Sequence, residues 1–460
     1  MAQPIPQPKG LPLLGNVLDV KPSNTWASLK KLAETYGEIF KITVLGHTIV
    51  FVAGANLAEE VTDEKRFRKY VGGPIDEIRY AVHDALFTAY DHEASWGIAH
   101  RIIAPKLSPQ AMSVHFDEMR DTTSELINLW KHLGDSSNKI TLIEQLNRLN
   151  LEATTLTLYG KKLNGLEGQQ HPMIQGMETS TAEAVMRPTR PGILNSLFYG
   201  RKFKRSTATM RAYAQGMVDY RKQNPTKRQD LLSAMMEHKD PETGKSLTES
   251  QIIDEIVSMP IGSSTAPCLI TSAIYYLLKN PEVMAKAREE IHHVVGKETL
   301  TMGHIPQLSY VEGVVREALR LGHPAPGFNL EPVPSEDKSP VQLAGGKYEI
   351  PHNQPIILVL AGVNRDPTVF PDPMAFKPER MMGPEFEKLP RAATRWFGNG
   401  KRECIGKHYA QLWNMIVLTM LLREIEFEMV DENYNIEQVG MDGWFNVRPI
   451  NFQVKVRPRV

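Results

Sequence analysis

The spacing of hydrophobic positions divides the chain into a short sheet-like start and a long helical body. Residues 25–36 have helical periodicity, and apolar or alternating runs at 39–44 and 48–52 flank Leu45-Gly46-His47, which predicts a β-hairpin. Proline-rich extended stretches between 324 and 364 predict further strands and loops. Helical periodicity recurs near 111–133, 141–159, 204–223, 247–280, 282–295, 308–321 and 404–424. The pattern therefore predicts a mainly α fold with a small β portion.

The domain organisation follows from the same pattern. The 460 residues contain no internal repeat and no low-complexity linker, although length alone would allow more than one domain. We therefore predict a single domain over 1–460. Its β-rich part is expected at about 1–60 and its helical body at about 61–460.

Composition and charge narrow the function classes. Hydrophobic residues make up 42% and charged residues 23% of the chain, which is ordinary for a soluble globular protein. The net charge is zero, which argues against nucleic acid as a main partner. The cysteines, Cys268 and Cys404, are far apart in sequence. This argues against a disulfide scaffold or a cysteine-rich zinc site and fits a reducing compartment.

The start of the chain shows no targeting signal. Five prolines, Pro4, Pro6, Pro8, Pro12 and Pro22, are too many for a membrane helix. No apolar run comes close to the roughly 18 residues that a membrane span requires. The sequence predicts a cytoplasmic location and no membrane span.

A glycine-rich stretch that contains one cysteine carries the clearest chemistry. Residues 397–406 read Phe-Gly-Asn-Gly-Lys-Arg-Glu-Cys-Ile-Gly and precede an apolar run at 416–422. Glycine and asparagine allow a tight turn with exposed amides, and Gly406 lets the backbone approach a flat ligand. Cys404 is then expected at the start of a helix, where free N–H groups and the helix dipole favour a thiolate. A lone thiolate held in this way suits an axial ligand of haem iron.

The spacing of Phe397, Gly400, Arg402, Cys404 and Gly406 resembles the haem-ligand signature of the cytochrome P450 family. The resemblance covers nearly the whole chain and is strongest to the haem domains of bacterial and fungal fatty-acid hydroxylases that are fused to a reductase. Further likeness lies at 37–41, 86–88, 240–244, 277–281 and 397–400. The resemblance implies a P450-like haem-thiolate fold and haem b, with Cys404 as the iron ligand. It also implies electrons from NADPH through an FAD- and FMN-containing reductase. No flavin or nicotinamide motif is visible, so we expect the reductase in another domain or protein.

The resemblance also implies which side chains meet the haem propionates. Trp96 and His100 lie four residues apart on a predicted helix, and Arg402 precedes the cysteine by two positions. Their indole N–H, imidazole and guanidinium groups are donors suited to carboxylates. Phe397 and Gly406 complete the expected haem contacts on the cysteine side.

A second implied feature is a cluster of charges. Glu317 and Arg320 lie three residues apart, on one face of a predicted helix. Taken alone, this spacing equally fits a solvated surface pair of little energetic value. The segment 376–380 follows as the family's second charged motif does. The resemblance implies that Glu317, Arg320 and Arg380 form a buried structural cluster that braces the cysteine loop.

The long helix at 247–280 is expected to cross the other face of the haem. The family usually has a small residue, a glycine, a variable residue, an acid and a threonine there, and this chain reads Ile261-Gly262-Ser263-Ser264-Thr265. Serine can relay a proton through water, but it does not titrate near neutral pH. We expect Thr265, with water and Ser264, to supply protons. The lost acid indicates either altered oxygen chemistry or a site where Thr265 and water suffice.

Two prolines bracket this stretch. Pro260 and Pro267 cannot donate to the carbonyls of Ile256 and Ser263. The helix is therefore predicted to be broken or bulged here, with free carbonyl groups near the oxygen site.

The substrate pocket is also implied by the resemblance. Where the fatty-acid hydroxylases hold a carboxylate with an arginine and a tyrosine, this chain has His47 and Phe51. Phe51 cannot donate a hydrogen bond, and His47 is only partly charged near neutral pH, so a neutral lipophile is as compatible as a fatty acid. Phe87 is expected above the haem. The other predicted pocket residues are Ile261, Ala325, Gly327, and Trp444 and Phe445 on the last hairpin.

The sequence supports three hypotheses of function. The first is a haem-thiolate monooxygenase that hydroxylates an unactivated C–H bond of a lipophile, such as a fatty acid or a natural product, with O2. The second is a haem-thiolate hydroperoxide isomerase or dehydratase, which needs no reductase; the lost acid and the bulky Ile261 suit it, and Thr265 counts against it. The third is a non-catalytic haem sensor or carrier, which explains an apolar pocket poorly.

Lys401 and Lys407 could meet an acidic flavin domain.

Overall fold

The computed structural model of the protein describes residues 2–21, 24–134, 138–439, 441–443 and 445–459. It is mainly α-helical with a small β portion, which confirms the predicted fold class. The helices are α1 (Thr25–Tyr36), α2 (Ala55–Val61), α3 (Pro74–Val82), α4 (Ala94–Ile103), α5 (Pro109–Val114), α6 (Phe116–Lys131), α7 (Leu142–Tyr159), α8 (Pro172–Met186), α9 (Gly192–Leu194), α10 (Gly200–Gln223), α11 (Leu231–Glu237), α12 (Glu249–Ser263), α13 (Thr265–Lys279), α14 (Pro281–Val294), α15 (Ser309–Gly322), α16 (Leu360–Val363), α17 (Gly383–Glu387), α18 (Lys407–Glu424) and α19 (Ile436–Val439). The strands are β1 (Ile39–Val44), β2 (His47–Val52), β3 (Phe67–Lys69), β4 (Lys139–Thr141), β5 (Gly327–Pro332), β6 (Val341–Leu343), β7 (Tyr348–Ile350), β8 (Ile356–Val359), β9 (Ile425–Met429), β10 (Met441–Gly443), β11 (Val447–Pro449) and β12 (Gln453–Pro458).

The strongly periodic segments are helices close to their predicted limits, as α1, α7, α14 and α15 show. The helix predicted from 404 begins only at Lys407, so Cys404 lies in the loop before α18. The periodicity did not predict α8. Gly176, Ser180 and Thr181 are among its buried residues, and such small side chains produce no apolar stripe along the sequence.

Helix α18 is the central helix of the core. Every residue from 412 to 422 is buried, which is the pattern of a helix covered on all sides. Trp413 is among the largest fully buried side chains of the described residues. Because α18 is held in this way, the loop that leads into it, with Cys404, has a fixed position.

The predicted break in the long helix is confirmed. α12 ends at Ser263 and α13 begins at Thr265, with Ser264 as the residue between them. Pro260 leaves the carbonyl of Ile256 without its helical N–H partner, and the Tyr159 hydroxyl donates to that carbonyl over 3.4 Å. The break is thus partly compensated by a hydrogen bond from α7.

The main sheet joins distant parts of the chain. Its strand order is β1-β2-β8-β5-β3, in which β2 pairs with β8 in parallel and the other neighbours are antiparallel. The sheet therefore combines the β-rich start of the chain with β5 and β8, which lie in the proline-rich segment where further strands were predicted. An unpaired strand edge exposes backbone N–H and C=O groups. The apolar strand β8 pairs with this edge of β2, and its residues Ile356, Leu358 and Val359 are buried.

One stretch of the described helices is long and apolar enough to cross a membrane. It is Glu249–Lys279, with a mean hydropathy of 1.3. This corrects the expectation that no apolar segment approaches that length. Of the most apolar part of this stretch, 78% is buried inside the protein, as in the core helix of a soluble fold.

Candidate active site

A cavity of about 1350 Å³ lies between the cysteine loop and the α12–α13 break. Cys404 lines it from the loop, and Gly262 and Thr265 line it from the break. The lining also reaches the β1–β2 hairpin at His47. The fold therefore brings together the elements that the sequence marked separately as cofactor, oxygen and substrate sites.

The cysteine loop is closed by its own backbone. The Cys404 N–H donates to the Phe397 carbonyl over 2.8 Å, and the Gly398 N–H donates to the Arg395 carbonyl over 3.0 Å. Gly398 and Gly400 have φ angles of 78° and 62°, in the left-handed region that glycine adopts without strain. The predicted tight turn is confirmed.

The turn between α2 and β3 anchors the loop. The Asn399 side chain donates to the Thr62 carbonyl over 2.7 Å, and the Lys401 N–H donates to Glu64 Oε1 over 2.9 Å. A Cβ on Gly400 would lie 1.8 Å from Cδ of Glu64. Glycine at 400 is therefore favoured both by its φ angle and by its neighbour.

We expect Gly400→Ala to weaken the cysteine loop. The left-handed backbone costs a side chain about 1–2 kcal/mol, and Glu64 must move away, which releases Lys401. Thermal unfolding and haem content should both fall. Gly303→Ala is the matched control, since its Cβ meets only Thr301 Oγ1, at 3.7 Å, within 4 Å. Equal unfolding midpoints for the two variants would contradict the argument.

The sulfur of Cys404 faces the cavity and lies close to Gly406, the residue that precedes α18. Burial raises the pKa of the Cys404 thiol and Glu403 raises it further, while the N–H of Gly406 and the ammonium of Lys407 lower it. The position predicted for Cys404 is corrected, because α18 begins only at Lys407, and the thiolate itself stays a prediction. A bound metal ion favours the thiolate form of a cysteine.

Trp96, His100 and Arg402, which the resemblance assigns to the haem propionates, form one stack beside the loop. The rings of Trp96 and His100 are 4.9 Å apart, and the Arg402 guanidinium is 5.3 Å from the Trp96 ring centre. Arg402 also donates to the carbonyls of Leu86 and Ala89, over 3.3 and 2.9 Å. Burial lowers the pKa of His100, and Arg402 adds to the effect, so the imidazole is a neutral donor.

Lys69 is a site residue that the sequence reasoning missed. It ends β3, lines the cavity, donates to the Phe87 carbonyl and lies 4.3 Å from the Phe87 ring centre. Burial lowers the pKa of Lys69 well below its usual value, and Arg402 lowers it further. No local signal marks it, because only the pairing of β3 with β5 brings it to the cavity.

Lys69 and Arg402 provide a test of whether haem fits. Both are at least partly buried basic groups that donate to backbone carbonyls, and among the described residues no carboxylate forms an ion pair with either. Buried cations need an anionic partner. The propionates of a haem would supply it, with the sulfur of Cys404 in the same cavity. A Cβ added at Gly406 would meet only that sulfur, at 3.9 Å, so the loop leaves room for a flat group.

The helix break places its hydroxyls differently from the prediction. Thr265 lines the cavity, and its Oγ1 donates to the Gly262 carbonyl over 3.1 Å. Ser264 does not line the cavity: it is 6% exposed, donates to the Ile261 carbonyl over 2.7 Å and accepts from Asn446. The predicted position of Ser264 beside Thr265 in the oxygen site is therefore corrected. Ser263 lines the cavity instead.

Some of the predicted pocket residues form the wall of the cavity, and others belong to the hydrophobic core. The rings of Phe87 and Phe445 meet edge to face at 5.8 Å, and Ala325 and Ile261 also line the cavity. Phe51 reaches the cavity only from the core, because it is 2% exposed and stacks on another phenylalanine, Phe40, at 5.0 Å. Trp444 lies outside the described residues.

Gly327 lines the cavity for a different reason from the predicted one. A Cβ there would lie 2.2 Å from the carbonyl oxygen of Leu358 and 3.1 Å from the ring of Trp26. The absent side chain thus allows β5 to pair with β8, and it does not make room for a substrate.

The charged cluster is assembled as predicted. Arg320 binds Glu317 through two hydrogen bonds of 2.7 Å, and both side chains are 0% exposed. Arg380 Nε lies 3.5 Å from Glu317 Oε1. Arg320 also donates to the carbonyls of Asn364 and Pro373, over 2.8 and 2.6 Å. The cluster therefore braces the segment before the cysteine loop, and not the loop itself.

A lone cysteine that faces a large cavity, with buried cations beside it and a broken helix opposite, defines a haem-thiolate protein. The chain belongs to the cytochrome P450 family, whose model matches residues 5–456. Family membership makes haem the cofactor and confirms the resemblance seen in the sequence.

The curated relatives are longer than this chain. A bifunctional cytochrome P450/NADPH–P450 reductase of Aspergillus oryzae is 36% identical over 462 residues, covering 99% of this chain and 42% of the relative. The bifunctional cytochrome P450/NADPH–P450 reductase ascE of Acremonium egyptiacum is 36% identical over 467 residues, covering 100% and 44%. The self-sufficient cytochrome P450 monooxygenase CYP505E3 of Phanerodontia chrysosporium is 35% identical over 464 residues, covering 100% and 43%. The chain thus spans less than half the length of these relatives, and their names confirm the resemblance to reductase-fused members.

Proposed function

We propose that this chain is the haem domain of a monooxygenase that hydroxylates an unactivated C–H bond of a lipophilic substrate. The observation that carries the proposal is the single cavity shared by Cys404, Thr265 and the apolar wall of Phe87 and Phe445. A sensor or carrier does not need an alcohol and a large apolar pocket beside the same thiolate. The names of the relatives support oxygen insertion with electrons from NADPH.

The proposed cofactor contacts come from three parts of the fold. Cys404 would ligate the iron, and Lys69, Arg402 and Trp96 would bind the propionates, with His100 as a neutral neighbour. When bound, haem supplies the activation of molecular oxygen. The protein's part is to hold this group between the cysteine loop and the helix break.

The chain's own side chains would orient the substrate and manage protons. Phe87, Phe445 and the buried Ile261 exclude water from the reacting end of the cavity and press a lipophile into one orientation. The hydroxyl of Thr265 holds its proton toward the Gly262 carbonyl, at 3.1 Å, and can turn into the cavity. A Cβ on Gly262 would have nothing within 4 Å, which leaves this part of the cavity open.

The substrate is proposed to be either a fatty acid or a neutral, natural-product-like lipophile. His47 is exposed at the hairpin end of the cavity, and Phe51 is buried in the core, so neither offers the firm cationic hold that a carboxylate prefers. A natural-product-like lipophile is as well supported as a fatty acid.

The reductase is proposed to be a flavin domain of the same polypeptide, as the names of the relatives suggest. Lys401 and Lys407 were predicted to meet an acidic flavin domain, but in the structure both already pair with carboxylates of this chain. Lys401 pairs with Asp91 over 2.6 Å, and Lys407 pairs with Glu403 over 2.9 Å. An acidic partner would have to compete with these ion pairs.

A cytoplasmic location stays a prediction from the sequence.

The test is product analysis by mass spectrometry in two parallel reactions on haem-loaded protein. One contains a reductase, NADPH, isotopically heavy O2 and a panel of fatty acids and neutral lipophiles. The other contains fatty-acid hydroperoxides without reductant or oxygen. Heavy hydroxyl in the product of the first reaction alone is the expected result. Rearranged product in the second reaction alone would replace the proposal with a hydroperoxide isomerase or dehydratase.

A further inference from the structure

The serines at the helix break are each tied to an asparagine from another element. Ser263 Oγ accepts from Asn150 Nδ2 on α7 over 2.9 Å. Ser264 Oγ accepts from Asn446 Nδ2, just before β11. The break is therefore a polar junction between elements that are distant in sequence.

Both asparagines leave an amide oxygen without a partner. Asn150 is 4% exposed, and among the described residues its Oδ1 and that of Asn446 are buried without a hydrogen bond. An amide oxygen accepts up to two hydrogen bonds, and buried polar atoms are almost always satisfied, by water where no protein group is near. These atoms therefore indicate bound water behind the serines.

Two separate elements lead from this junction to one surface carboxylate. Asn147 lies three residues before Asn150, on the same face of α7, and its Nδ2 is 3.4 Å from Glu178 Oε1. Arg448, two residues beyond Asn446, donates to the same oxygen over 3.0 Å. The Glu178 side chain is 38% exposed, so this carboxylate meets the solvent.

The inner end of the junction opens into the cavity. Ser263 and Thr265 line the cavity, and Thr154 Oγ1 lies 3.4 Å from Ser263 Oγ and 3.0 Å from the Tyr409 hydroxyl. Burial raises the pKa of Tyr409, so the side of the junction that runs through Thr154 and Tyr409 has no acidic group that could supply a proton. The Asn150 branch is the one that leads toward a carboxylate and the solvent.

We propose that Glu178, Asn147, Asn150 and Ser263 line a hydrated proton route from the surface to the cavity, in place of the acid that this chain lacks beside Thr265. The inference rests on the proposed monooxygenase function. One proton enters from solvent at the Glu178 carboxylate, and one leaves the Ser263 hydroxyl into the cavity. Each water or hydroxyl between them gives up one proton and accepts one, so it is unchanged. Asn147 and Asn150 are positioning residues that hold the water and are not themselves protonated.

The main test replaces Asn150, with a matched buried asparagine as control. Asn150→Leu removes the amide that holds both Ser263 and the water. With substrate, O2, NADPH and a reductase, we expect product per NADPH to fall about tenfold, below the usual range for general acid–base catalysis since water still enters through the cavity. Peroxide release and the solvent deuterium isotope effect should rise. Asn414→Leu removes an equally buried amide on α18, 2% exposed, and should leave these ratios unchanged.

A second pair of variants tests the outer end of the route and does not depend on a buried substitution. Glu178→Gln should raise the solvent isotope effect, whereas Glu183→Gln, on the same helix but paired with Arg190, should not. Unchanged coupling and isotope effect in both Glu178→Gln and folded Asn150→Leu would overturn the proposal. If Asn150→Leu does not fold, Ser263→Ala replaces it in this comparison.

A crystal structure gives a readout that is independent of activity. We expect ordered water within hydrogen-bonding distance of Asn150 Oδ1 in the native protein, and its loss in Asn150→Leu. A dry Asn150 site would overturn the route even if the monooxygenase reaction is observed. Absence of oxygenated product with ordered water present would instead count against the proposed function.

Discussion

Cys404→Ala should abolish the spectral signature of a thiolate ligand and almost all substrate oxidation. Alanine keeps the backbone bond from residue 404 to the Phe397 carbonyl and removes only the sulfur that faces the cavity. The loss of the metal ligand itself should exceed the roughly 10–100-fold cost of losing a second-shell group. The carbon monoxide difference spectrum of reduced protein reports the ligand, and heavy-oxygen product reports the activity.

The second cysteine of the chain provides the control for this prediction. Cys268 is 2% exposed on α13 and donates to the Ser264 carbonyl over 3.3 Å. Cys268→Ala removes one small buried group and should cost about 1 kcal/mol of stability, without a change in the thiolate spectrum. If Cys404→Ala keeps that spectrum, or Cys268→Ala loses it, the ligand assignment is wrong.

The sequence predicted the parts of the site that depend on local spacing. Cys404, Arg402 and the tight turn between Gly398 and Gly400 lie within one short loop, and Trp96 and His100 lie one turn apart on α4. Residues so close along the chain keep their geometry whatever the rest of the fold does. Their positions relative to one another agree with the expectations for this reason, although the helix predicted from 404 begins only at Lys407.

The parts that depend on the pairing of distant strands were beyond the sequence pattern. Lys69 reaches the cavity because β3 pairs with β5, which lies more than two hundred residues later. Gly327 reads as a pocket residue in the sequence, but its absent side chain serves the contact with Leu358 across the same sheet. A single sequence gives no register for strands that are so far apart.

The helix break produced the most consequential error. Ser264 occupies the motif position of the family's usual acid, so the resemblance made it look like the substitute. In the structure Ser264 is the residue between α12 and α13, with its hydroxyl turned to Ile261 and Asn446, and Ser263 reaches the cavity. The prolines predicted the break, but a break removes the regular phase from which side-chain directions are inferred.

Glu317→Gln should produce the largest loss of stability among the variants considered. Glu317 neutralises Arg320, which is fully buried and also donates to backbone carbonyls at 364, 373 and 375. Removing one partner of a buried pair leaves an uncompensated charge and costs about 3–5 kcal/mol. That is a large fraction of the roughly 5–15 kcal/mol that stabilises a typical native protein. We therefore expect a marked fall in the thermal unfolding midpoint and in the yield of haem-loaded protein.

Helix α15 carries its own control for this prediction. Glu312 and Arg316 form an ion pair one turn earlier, with side chains 46% and 26% exposed. Glu312→Gln removes the same charge from the same helix in contact with solvent, and exposed pairs contribute at most about 1 kcal/mol. Arg380→Leu should fall between the two, because Arg380 lies 3.5 Å from Glu317 and is 14% exposed. Since the helix, the residue type and the charge change are the same in both glutamate variants, a difference between them measures burial. Equal unfolding midpoints would mean that the buried cluster contributes no more than a surface pair, and its bracing role would then have to be abandoned.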